Sequence, residues 1–269
     1  MSVIIHPSAA VDKRAKLGEN VYIGPFCLVE GDVEIGDGTS LKAYVSVHDG
    51  VVIGSNCSIA EYSAIGGDPQ DHGYKGEKSY VKIGNNNIIR ENVTVSRATG
   101  EGNETVIGND CFIMEGVHFA HNVKVGNFVT IANKVGLSGF VEVGDHTVFG
   151  GMCGVHQFVR IGEYCMIGGL YRVVKDIPHY TLTGGEPLRI LGLNSVGLKR
   201  GGFEAKTRRL ILNFYKELYD THDLFTHNLN KLKERRGEFI PEIQRIIDFY
   251  SNSKRGVTFW GRGHSAESD

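Results

Sequence analysis

A hydrophobic repeat of six residues runs through most of this 269-residue sequence and limits what it can fold into. Steps of six from Ile5 to Val173 give 29 positions, of which 26 are aliphatic or phenylalanine. A period of six is neither the 3.6 of an α-helix nor the 2 of an open sheet, and it is typical of a parallel β-helix. Three repeats would form one coil, whose strands stack at about 4.8 Å on those of the next coil. The sequence therefore predicts an all-β core of stacked coils.

We expect the side chains at these six-residue positions to point inward and form the core. Two further rows of residues accompany this inward row. Glycine often follows the aliphatic residue, where we expect it to allow corner torsions that a Cβ would resist. This row comprises Gly18, Gly24, Gly36, Gly54, Gly66, Gly84, Gly108, Gly126, Gly144 and Gly162. A row of slimmer residues lies two positions before each aliphatic residue. It contains all five cysteines, which are Cys27, Cys57, Cys111, Cys153 and Cys165. We interpret these cysteines as small buried core residues rather than as metal ligands or redox groups.

The repeat is interrupted twice and then ends. The segments at about 67–80 and 96–106 are polar and contain glycine, and the register survives across both, so we expect two loops that leave an intact β-helix. Long loops in a compact repeat are often functional. Beyond Val173 the apolar residues recur at helical spacing. We therefore predict a β-helix over residues 1–185 and a small α-helical domain over 186–269, whose last ten or so residues fray.

The composition excludes several classes of protein. A content of 41% hydrophobic and 22% charged residues, with a formal net charge of -2, is typical of a folded globular chain. The balanced charge predicts no strong field for nucleic acid or for an anionic membrane. No run approaches the roughly 20 apolar residues of a membrane span, and the N-terminus lacks a signal-peptide pattern. We expect a cytoplasmic protein.

Two histidines interrupt the repeat in a position suited to chemistry. His118 and His121 flank the inward Phe119, and at strand spacing they cannot both point inward, so we expect both to point outward. One could act as a general base, since an imidazole titrates near neutral pH, or both could be ordinary surface residues. A zinc site would need His118 and His121 together with His146 or His156. No ligand set repeats at a diagnostic spacing, so we expect neither a metal nor a cofactor.

Five motifs then give the chain a family resemblance. They are Gly67-Asp68-Pro69-Gln70-Asp71, His118-Phe119-Ala120-His121, Gly150-Gly151-Met152-Cys153-Gly154-Val155-His156-Gln157-Phe158, Gly197-Leu198-Lys199-Arg200-Gly201-Gly202-Phe203 and Ser253-Lys254-Arg255-Gly256. Over residues 3–257 the chain resembles the UDP-N-acetylglucosamine O-acyltransferases that open lipid A synthesis. The resemblance implies a left-handed parallel β-helix and a homotrimer with active sites in clefts between neighbouring prisms. It also implies an acyl carrier protein as the donor of a 3-hydroxyacyl chain and a UDP-amino sugar as the acceptor.

The resemblance also implies roles for individual residues. His121 stands at the family's catalytic histidine, and Gly139 stands where a backbone N–H meets the oxyanion. Gly169 stands at the family's ruler of acyl chain length. The positions implied to hold the nucleotide sugar or to shape the cleft are Gln70, Asp71, His118, His156, Gln157, Asn194 and Arg200. The basic clusters of the helical tail are either solvated helix faces or a dock for an acidic carrier protein, and the candidate docking residues are Lys199, Lys206, Arg208 and Arg209.

The chain departs from the family pattern at several sugar-site positions. The residues that differ are Gly73, where lysine is usual, Asn122, where aspartate often stands, Phe140 for histidine, Val196 for glutamate and Gly201 for arginine. These changes leave the base and the groove in place, so we expect acyl transfer to either the 3-hydroxy sugar or its 3-amino analogue. The alternatives are a lipid A N-acyltransferase, an acetyl-CoA-dependent acetyltransferase, a trimeric zinc carbonic anhydrase-like enzyme and a non-catalytic scaffold.

Overall fold

The computed structural model describes residues 2–220 and 222–261, and most of them form a prism of short parallel strands. The strands are β1 (Ile4–Ile5), β2 (Ala10–Val11), β3 (Lys16–Leu17), β4 (Tyr22–Ile23), β5 (Leu28–Val29), β6 (Val33–Ile35), β7 (Ser40–Leu41), β8 (Ser46–Val47), β9 (Val51–Ile53), β10 (Ser58–Ile59), β11 (Ala64–Gly67), β12 (Tyr80–Ile83), β13 (Ile88–Ile89), β14 (Thr94–Ser96), β15 (Glu104–Ile107), β16 (Phe112–Ile113), β17 (His118–Phe119), β18 (Lys124–Val125), β19 (Thr130–Ile131), β20 (Gly136–Leu137), β21 (Glu142–Val143), β22 (Val148–Phe149), β23 (Gly154–Val155), β24 (Arg160–Ile161), β25 (Met166–Ile167), β26 (Arg172–Val173), β27 (Thr181–Gly184) and β28 (Arg189–Leu193).

Every third strand belongs to the same face, as a six-residue repeat requires. Sheet A contains β1, β4 and every third strand to β25, followed by β27 and the antiparallel β28; sheet B runs from β2 to β26 and sheet C from β3 to β24. Within each sheet the inward residues pair in register, as Ile59 does with Ile89. These inward residues form one continuous buried core from Val21 to Ile177. The predicted coils are confirmed.

The five cysteines lie in this core as unpaired thiols, which confirms their predicted role. Each sulfur is placed to donate to a backbone carbonyl, as Cys165 does to the oxygen of Pro178 at 3.2 Å. Burial raises the pKa of the Cys111 thiol to about 11 and that of Cys165 to about 12. The thiols therefore remain protonated at neutral pH and serve as packing groups.

The glycine row was predicted for a wrong reason. Among the ten glycines that follow an inward residue, only Gly66 has a positive φ, at 87°. A Cβ on Gly84 would lie 2.7 Å from the carbonyl oxygen of Gly108 in the next coil, and one on Gly144 would lie 2.7 Å from the carbonyl carbon of Gly162. Glycine is therefore required because neighbouring coils approach too closely for a side chain.

The positive φ angles fall instead three residues before the inward position. Non-glycine residues occupy most of these corners, and they are Asn20, Phe26, Tyr44, Asn56, Tyr62, Asn86, Asn92, Asp110, Asn122, Phe128, Lys134, Phe140, His146, Met152, Phe158, Tyr164, Leu170 and Tyr180. Several of their aromatic side chains stack from coil to coil, as Phe26 does on Tyr44 with ring centroids 5.0 Å apart. Contacts between coils thus help to hold torsions that side chains seldom adopt.

The outer rows of the three sheets differ in charge. Sheet C presents Lys16, Glu34, Val52, Lys82, Val106, Lys124, Glu142 and Arg160. Sheet A presents Ile4, Tyr22, Ser40, Ser58, Ile88, Phe112, Thr130, Val148 and Met166. Sheet B presents Ala10, Leu28, Ser46, Ala64, Thr94, His118, Gly136, Gly154 and Arg172. Sheet C is therefore the highly charged face of the prism.

Both predicted loops are present, and both leave the prism at the corner between sheets B and C. The first joins β11 to β12 and the second joins β14 to β15, while the strands on either side stay in register. The loops brace each other, because the carboxylate of Glu77 accepts the N–H of Gly100 at 2.8 Å. This bond and a second one from the N–H of Lys75 lower the pKa of the Glu77 carboxyl.

A cap of helices closes the end of the prism. The helices are α1 (Ser195–Arg200), α2 (Ala205–Leu218), α3 (Phe225–Glu234) and α4 (Pro241–Ser251). They pack around a second apolar core that includes Tyr215, Leu218 and Ile246. The helical domain is thus confirmed, whereas its boundary at 185/186 stays a prediction, and residues 262–269 lie outside the described residues. Across the described part of the chain, no helix has the length and apolarity needed to span a membrane.

Candidate active site

The two loops meet over His121. This residue follows β17 at the corner between sheets B and C, the same corner from which both loops depart. Its side chain is only 7% exposed. Nε2 lies 3.4 Å from a carboxylate oxygen of Asp71 in the first loop, and Nδ1 lies 3.5 Å from the hydroxyl of Thr99 in the second. His121 points away from the core of the prism, as predicted, but the loops make it a covered residue rather than a surface imidazole.

Asn122 fixes the orientation of the His121 ring. Its Oδ1 lies 2.9 Å from Nδ1 of His121 and accepts both the N–H and the hydroxyl of Thr99, each at 2.9 Å. Its Nδ2 donates to the carbonyl oxygen of Thr99 at 3.1 Å. Because the backbone of Thr99 pairs with both ends of the amide, the oxygen is the end that faces His121. Nδ1 therefore carries a proton, and in the neutral form of the ring the lone pair lies on Nε2.

Gly139 lies against the other side of the ring, one coil further along the same corner. A Cβ at this position would lie 2.5 Å from Cε1 and 2.6 Å from Nε2 of His121, so only glycine leaves the ring in place. The adjacent Phe140 contacts His121 edge-on, with ring centroids 5.2 Å apart, and it stacks on Phe158 at 4.9 Å. The ring is thus confined by an amide, a glycine backbone and an aromatic edge.

Several predicted site residues share this region. His118 is half-buried on the outer row of sheet B, with Nδ1 2.7 Å from the hydroxyl of Thr94. Burial lowers the pKa of His118, so its ring is neutral at pH 7. Gln70 is exposed beside Asp71 in the first loop. His156 and Gln157 follow β23 at the same corner as His121, two coils further on, which is about 10 Å at the usual strand spacing.

Asn194 and Arg200 are not brought to His121 within one chain. Asn194 caps α1 by accepting the N–H of Gly197 at 3.0 Å, and it donates to the carbonyl oxygen of Tyr164 at 2.9 Å. Tyr164 lies at the corner between sheets C and A, so the width of sheet C separates Asn194 from His121. Arg200 is exposed at the end of the same short helix.

The structure also shows the contacts of two further departures from the family pattern, Gly73 and Gly201, and of the predicted ruler Gly169. The N–H of Gly73 donates to Asp71 at 2.7 Å and closes a tight turn in the first loop. A Cβ on Gly201 would lie 2.5 Å from the ring of Tyr164, so an arginine here would displace that ring. A Cβ on Gly169, at the corner between sheets A and B, would lie 3.1 Å from the carbonyl oxygen of Gly151.

Of the four histidines considered for zinc, His146 lies apart from His118, His121 and His156. His146 sits at the corner between sheets C and A, stacked between Phe128 at 4.7 Å and Tyr164 at 4.4 Å. Within residues 2–220 and 222–261, no group of three or more histidine, cysteine, aspartate or glutamate side chains could hold a metal ion.

Thr99 is a contact of this candidate site that the sequence did not reveal. It lies in the second loop, outside the six-residue register, and it reaches Asn122 through a fold-back of that loop. Asn122 was recognised only as a departure from the family pattern. Its amide is in fact the acceptor that orients the ring, a role that a neutral side chain fills as a carboxylate would.

Two family models match the chain. The model described as UDP N-acetylglucosamine O-acyltransferase, domain 2, matches residues 176–258. The model described as bacterial transferase hexapeptide (six repeats) matches residues 14–48, 32–67 and 104–139. The matches fall on the helical cap and on the coils respectively.

Curated relatives and solved structures extend the likeness over nearly the whole chain. An acyl-(acyl-carrier-protein)–UDP-N-acetylglucosamine O-acyltransferase of Sulfurihydrogenibium is 49% identical over 95% of this chain and 94% of its own. The enzyme of that name from Thermodesulfovibrio yellowstonii is 43% identical over 94% of this chain and 98% of its own. The crystal structure of LpxA, a UDP-N-acetylglucosamine acyltransferase from Bacteroides fragilis, matches with a TM-score of 0.90 at 39% identity, over 94% of this chain and 99% of that one.

These likenesses confirm the predicted fold class, a left-handed parallel β-helix with a small α-helical C-terminal domain. They also confirm the family that the five motifs indicated. The chain belongs to the UDP-N-acetylglucosamine O-acyltransferase family.

Proposed function

We propose that this chain transfers a 3-hydroxyacyl group from acyl carrier protein to the 3-position of UDP-N-acetylglucosamine, the first step of lipid A biosynthesis. Membership of a family whose curated members carry this activity in their names supports the reaction class. The observation that carries the chemistry is the geometry of His121, whose Nδ1 is held by Asn122 while Nε2 is directed at Asp71. A histidine held in this way is suited to act as a general base.

In this mechanism Nε2 of His121 accepts the proton of the sugar 3-hydroxyl as that oxygen attacks the thioester carbonyl. The new oxygen–carbon bond forms a tetrahedral intermediate, whose oxyanion accepts the backbone N–H of Gly139. Collapse of the intermediate breaks the carbon–sulfur bond, and the leaving thiolate takes the proton from His121. Asp71 stabilises the imidazolium that exists between these two proton transfers. A positioned base of this kind contributes about 10²- to 10⁴-fold to the rate.

The proposed enzyme is a homotrimer whose sites lie between copies. Asn194 and Arg200 can serve the same nucleotide sugar as His121 only if a second copy supplies them, because they occupy another corner of the prism. The uncharged outer row of sheet A and the nearly uncharged row of sheet B support packing of these faces against neighbouring prisms, with sheet C in solvent. Arg200 would pair with the diphosphate through its planar guanidinium.

The acceptor is either UDP-N-acetylglucosamine or its 3-amino analogue. The departures at Gly73, Phe140 and Gly201 remove or replace polar side chains that the family pattern places around the sugar. The base and Gly139 are unaffected by these changes, so the same proton transfer would serve an amine and yield an amide. Acyl transfer itself needs no cofactor in this mechanism.

The carrier protein would dock on the helical cap near α1 and α2. The candidate docking residues are Lys199, Lys206, Arg208 and Arg209, of which Lys199, Lys206 and Arg209 are exposed. A cluster of positive charge steers an acidic partner and speeds its association. Reversal of two of these charges should raise KM for the carrier thioester and leave kcat unchanged, and an unchanged KM would refute this docking surface. Both substrates are soluble, and we place the enzyme in the cytoplasm.

A mass-spectrometric assay tests the proposed function. The purified protein is offered 3-hydroxyacyl carrier thioesters and acetyl-CoA as donors, with UDP-N-acetylglucosamine and its 3-amino analogue as acceptors. We expect acylated nucleotide sugar from the carrier thioesters and none from acetyl-CoA. A strong preference for the 3-hydroxy acceptor would remove the amino hypothesis alone. Absence of product from every carrier thioester would contradict the proposed acyl transfer.

A further inference from the structure

Arg97 is a largely buried cation that the proposed mechanism does not use. It follows β14 at the corner between sheets B and C, two residues after Val95, and His121 stands likewise two residues after Phe119. Val95 and Phe119 are register partners, so Arg97 and His121 lie on adjacent coils, about 5 Å apart along the prism. The side chain of Arg97 is only 16% exposed. A guanidinium buried to this extent needs hydrogen-bond acceptors, and its acceptors indicate what it does.

Arg97 holds the point where the first loop leaves the prism. Its Nε donates to the carbonyl oxygen of Gly66 at 2.9 Å, and its backbone N–H donates to the carbonyl oxygen of Gly67 at 2.9 Å. Nε also lies 3.6 Å from a carboxylate oxygen of Asp68, but that side chain is 74% exposed, so the carbonyl of Gly66 is the stronger partner. The register of β11 shifts between Ile65 and Gly67. Two bonds from Arg97 therefore fix the chain where regular strand pairing ends.

The two residues after Arg97 hold the other end of the first loop and the amide beside the base. The carbonyl oxygen of Ala98 accepts the buried hydroxyl of Ser79, where the first loop returns to the prism, at 2.5 Å. Thr99 binds both ends of the Asn122 amide. Three consecutive residues of the second loop therefore connect both ends of the first loop to the group that orients His121.

We propose that Arg97 is a positioning residue for the acyl transfer, which holds Asp71 against Nε2 of His121 by fixing the root of the first loop. The inference rests on the proposed function, because it needs the base to work at Nε2. Asp71 lies only four residues beyond Gly67, and its carboxylate oxygen is 3.4 Å from Nε2. The attraction between Asp71 and an imidazolium weakens as this distance grows, and a displacement of 1 Å in a site can cost about 100-fold in rate. In the described part of the chain Arg97 has no hydrogen bond or ion pair to His121, so its influence passes through the loop.

A direct electrostatic role for Arg97 predicts the opposite effect on the rate. Its positive charge stands one coil from the imidazolium that forms on His121, and like charges repel, so the charge alone disfavours that intermediate. If charge were the main contribution of Arg97, removal of the guanidinium would speed the reaction. Loss of the hydrogen bond to Gly66 instead frees the root of the loop and slows the reaction. The sign of the change in kcat therefore separates the two roles.

The test compares Arg97→Met, which keeps the apolar stem and removes the donor, with Arg97→Lys, which keeps a donor and the charge. Arg90→Met is the control, because Arg90 lies on the same coil at another corner, is 50% exposed and pairs with Glu91. The values of kcat and KM are measured with a 3-hydroxyacyl carrier thioester and UDP-N-acetylglucosamine. We expect Arg97→Met to lose about tenfold or more in kcat and to change KM by less than about threefold. Arg97→Lys should recover most of the loss, and Arg90→Met should match the wild type.

A double-mutant cycle with Asp71→Asn tests the route through the loop. In the Asp71→Asn background we expect Arg97→Met to change kcat by less than about twofold, because the carboxylate that Arg97 positions is already absent. Hydrogen–deuterium exchange of the unliganded protein should be faster within residues 68–79 in Arg97→Met and unchanged in Arg90→Met. This exchange needs no substrate. If the wild type acylates nothing, the proposed function fails, and the exchange still decides whether Arg97 anchors the loop.

Three results would overturn the proposal. An Arg97→Met enzyme as fast as the wild type, or faster, would exclude a positioning role. Equal losses from Arg97→Met with and without the Asp71 carboxylate would show that Arg97 acts independently of Asp71. Unchanged exchange in the first loop would show that its root does not need the side chain of Arg97. Should Arg97→Met fail to fold, Arg97→Gln replaces it in the same cycle, with a smaller expected loss because the amide is a shorter donor.

Discussion

Two corners of the prism follow the same repeat and differ in what covers them. Asn122, at the corner between sheets B and C, and His146, at the corner between sheets C and A, both lie three residues before an inward residue and both have positive φ. His146 is stacked between Phe128 and Tyr164 of neighbouring coils. Asn122 instead binds Thr99 of a loop and orients His121. The repeat therefore builds equivalent corners, and the two loops make one of them a candidate active site.

The largest difference should appear when a histidine is removed from each corner. We expect His121→Ala to lower kcat by about 10²- to 10⁴-fold, since the general base is lost. His146→Ala should retain kcat within about twofold and lower the free energy of unfolding by about 1 kcal/mol, since it loses aromatic stacking. Kinetics with a carrier thioester and urea unfolding of both variants check this. Comparable kcat losses in the two variants would remove the distinction between the corners.

The orienting amide should matter next. Asn122→Leu removes the acceptor of the Nδ1 proton, and we expect kcat to fall by about tenfold or more with little change in KM. Asn122→Asp keeps an oxygen at this position and should restore most of the activity. The pH profile of kcat should differ between the two variants, because only the aspartate can carry charge beside the ring. Equal activity of Asn122→Leu and wild type would show that the amide has no orienting role.

A third histidine, at the corner between sheets C and A, should govern stability in acid. Burial, together with Arg245 and Arg160, lowers the pKa of His179 from 6.5 to about 4, and its Nδ1 lies 3.0 Å from the backbone nitrogen of Glu163. At pH values between about 4 and 6.5, His179 is protonated in the unfolded chain and neutral in the folded chain, so the free energy of unfolding falls as the pH falls. We expect a loss of about 2 kcal/mol between pH 7.5 and pH 5. Urea unfolding at both values should show this loss in wild type and in the exposed-site control His6→Asn, but not in His179→Asn.

The smallest effect concerns the loop itself. Thr99→Val removes the hydroxyl that donates to Asn122 and keeps the two hydrogen bonds from the backbone of Thr99. We expect the interaction that holds the Asn122 amide to weaken by about 1 kcal/mol and kcat to fall a few-fold. Thr226→Val, on an exposed position of α3, is the control. A Thr99→Val enzyme with the kcat of wild type would show that the backbone of the loop alone holds Asn122.

The six-residue register of aliphatic residues predicted the coils, because it places one inward residue in each repeat. The burial of the cysteines was predicted from their position two residues before an inward residue. The same spacing could not show why glycine follows the inward residue. Either a corner torsion or a close approach by the next coil can exclude a Cβ, and both leave the same glycine in the sequence. Only the structure distinguishes Gly84, where a Cβ would clash with the next coil, from Gly136, where a Cβ would meet nothing within 4 Å.

The candidate site was predictable in part. His121 and Gly139 were implied by family motifs, and the structure brings their atoms together. Thr99 could not be found in this way, because it lies in an insertion where neither register nor spacing constrains a side chain. Asn194 and Arg200 were expected at the site, but they occupy another corner of the prism, and under the proposed homotrimer a second copy would supply them.

The tautomer of His121 tests the central claim most directly. Nuclear magnetic resonance of the ring nitrogens, with ¹⁵N-labelled histidine and His121→Gln for assignment, reports which nitrogen carries the proton when the ring is neutral. The hydrogen bond to Asn122 predicts protonation of Nδ1 and a free lone pair on Nε2, ready to accept the proton of the acceptor sugar. A neutral ring protonated on Nε2 would contradict this account of His121.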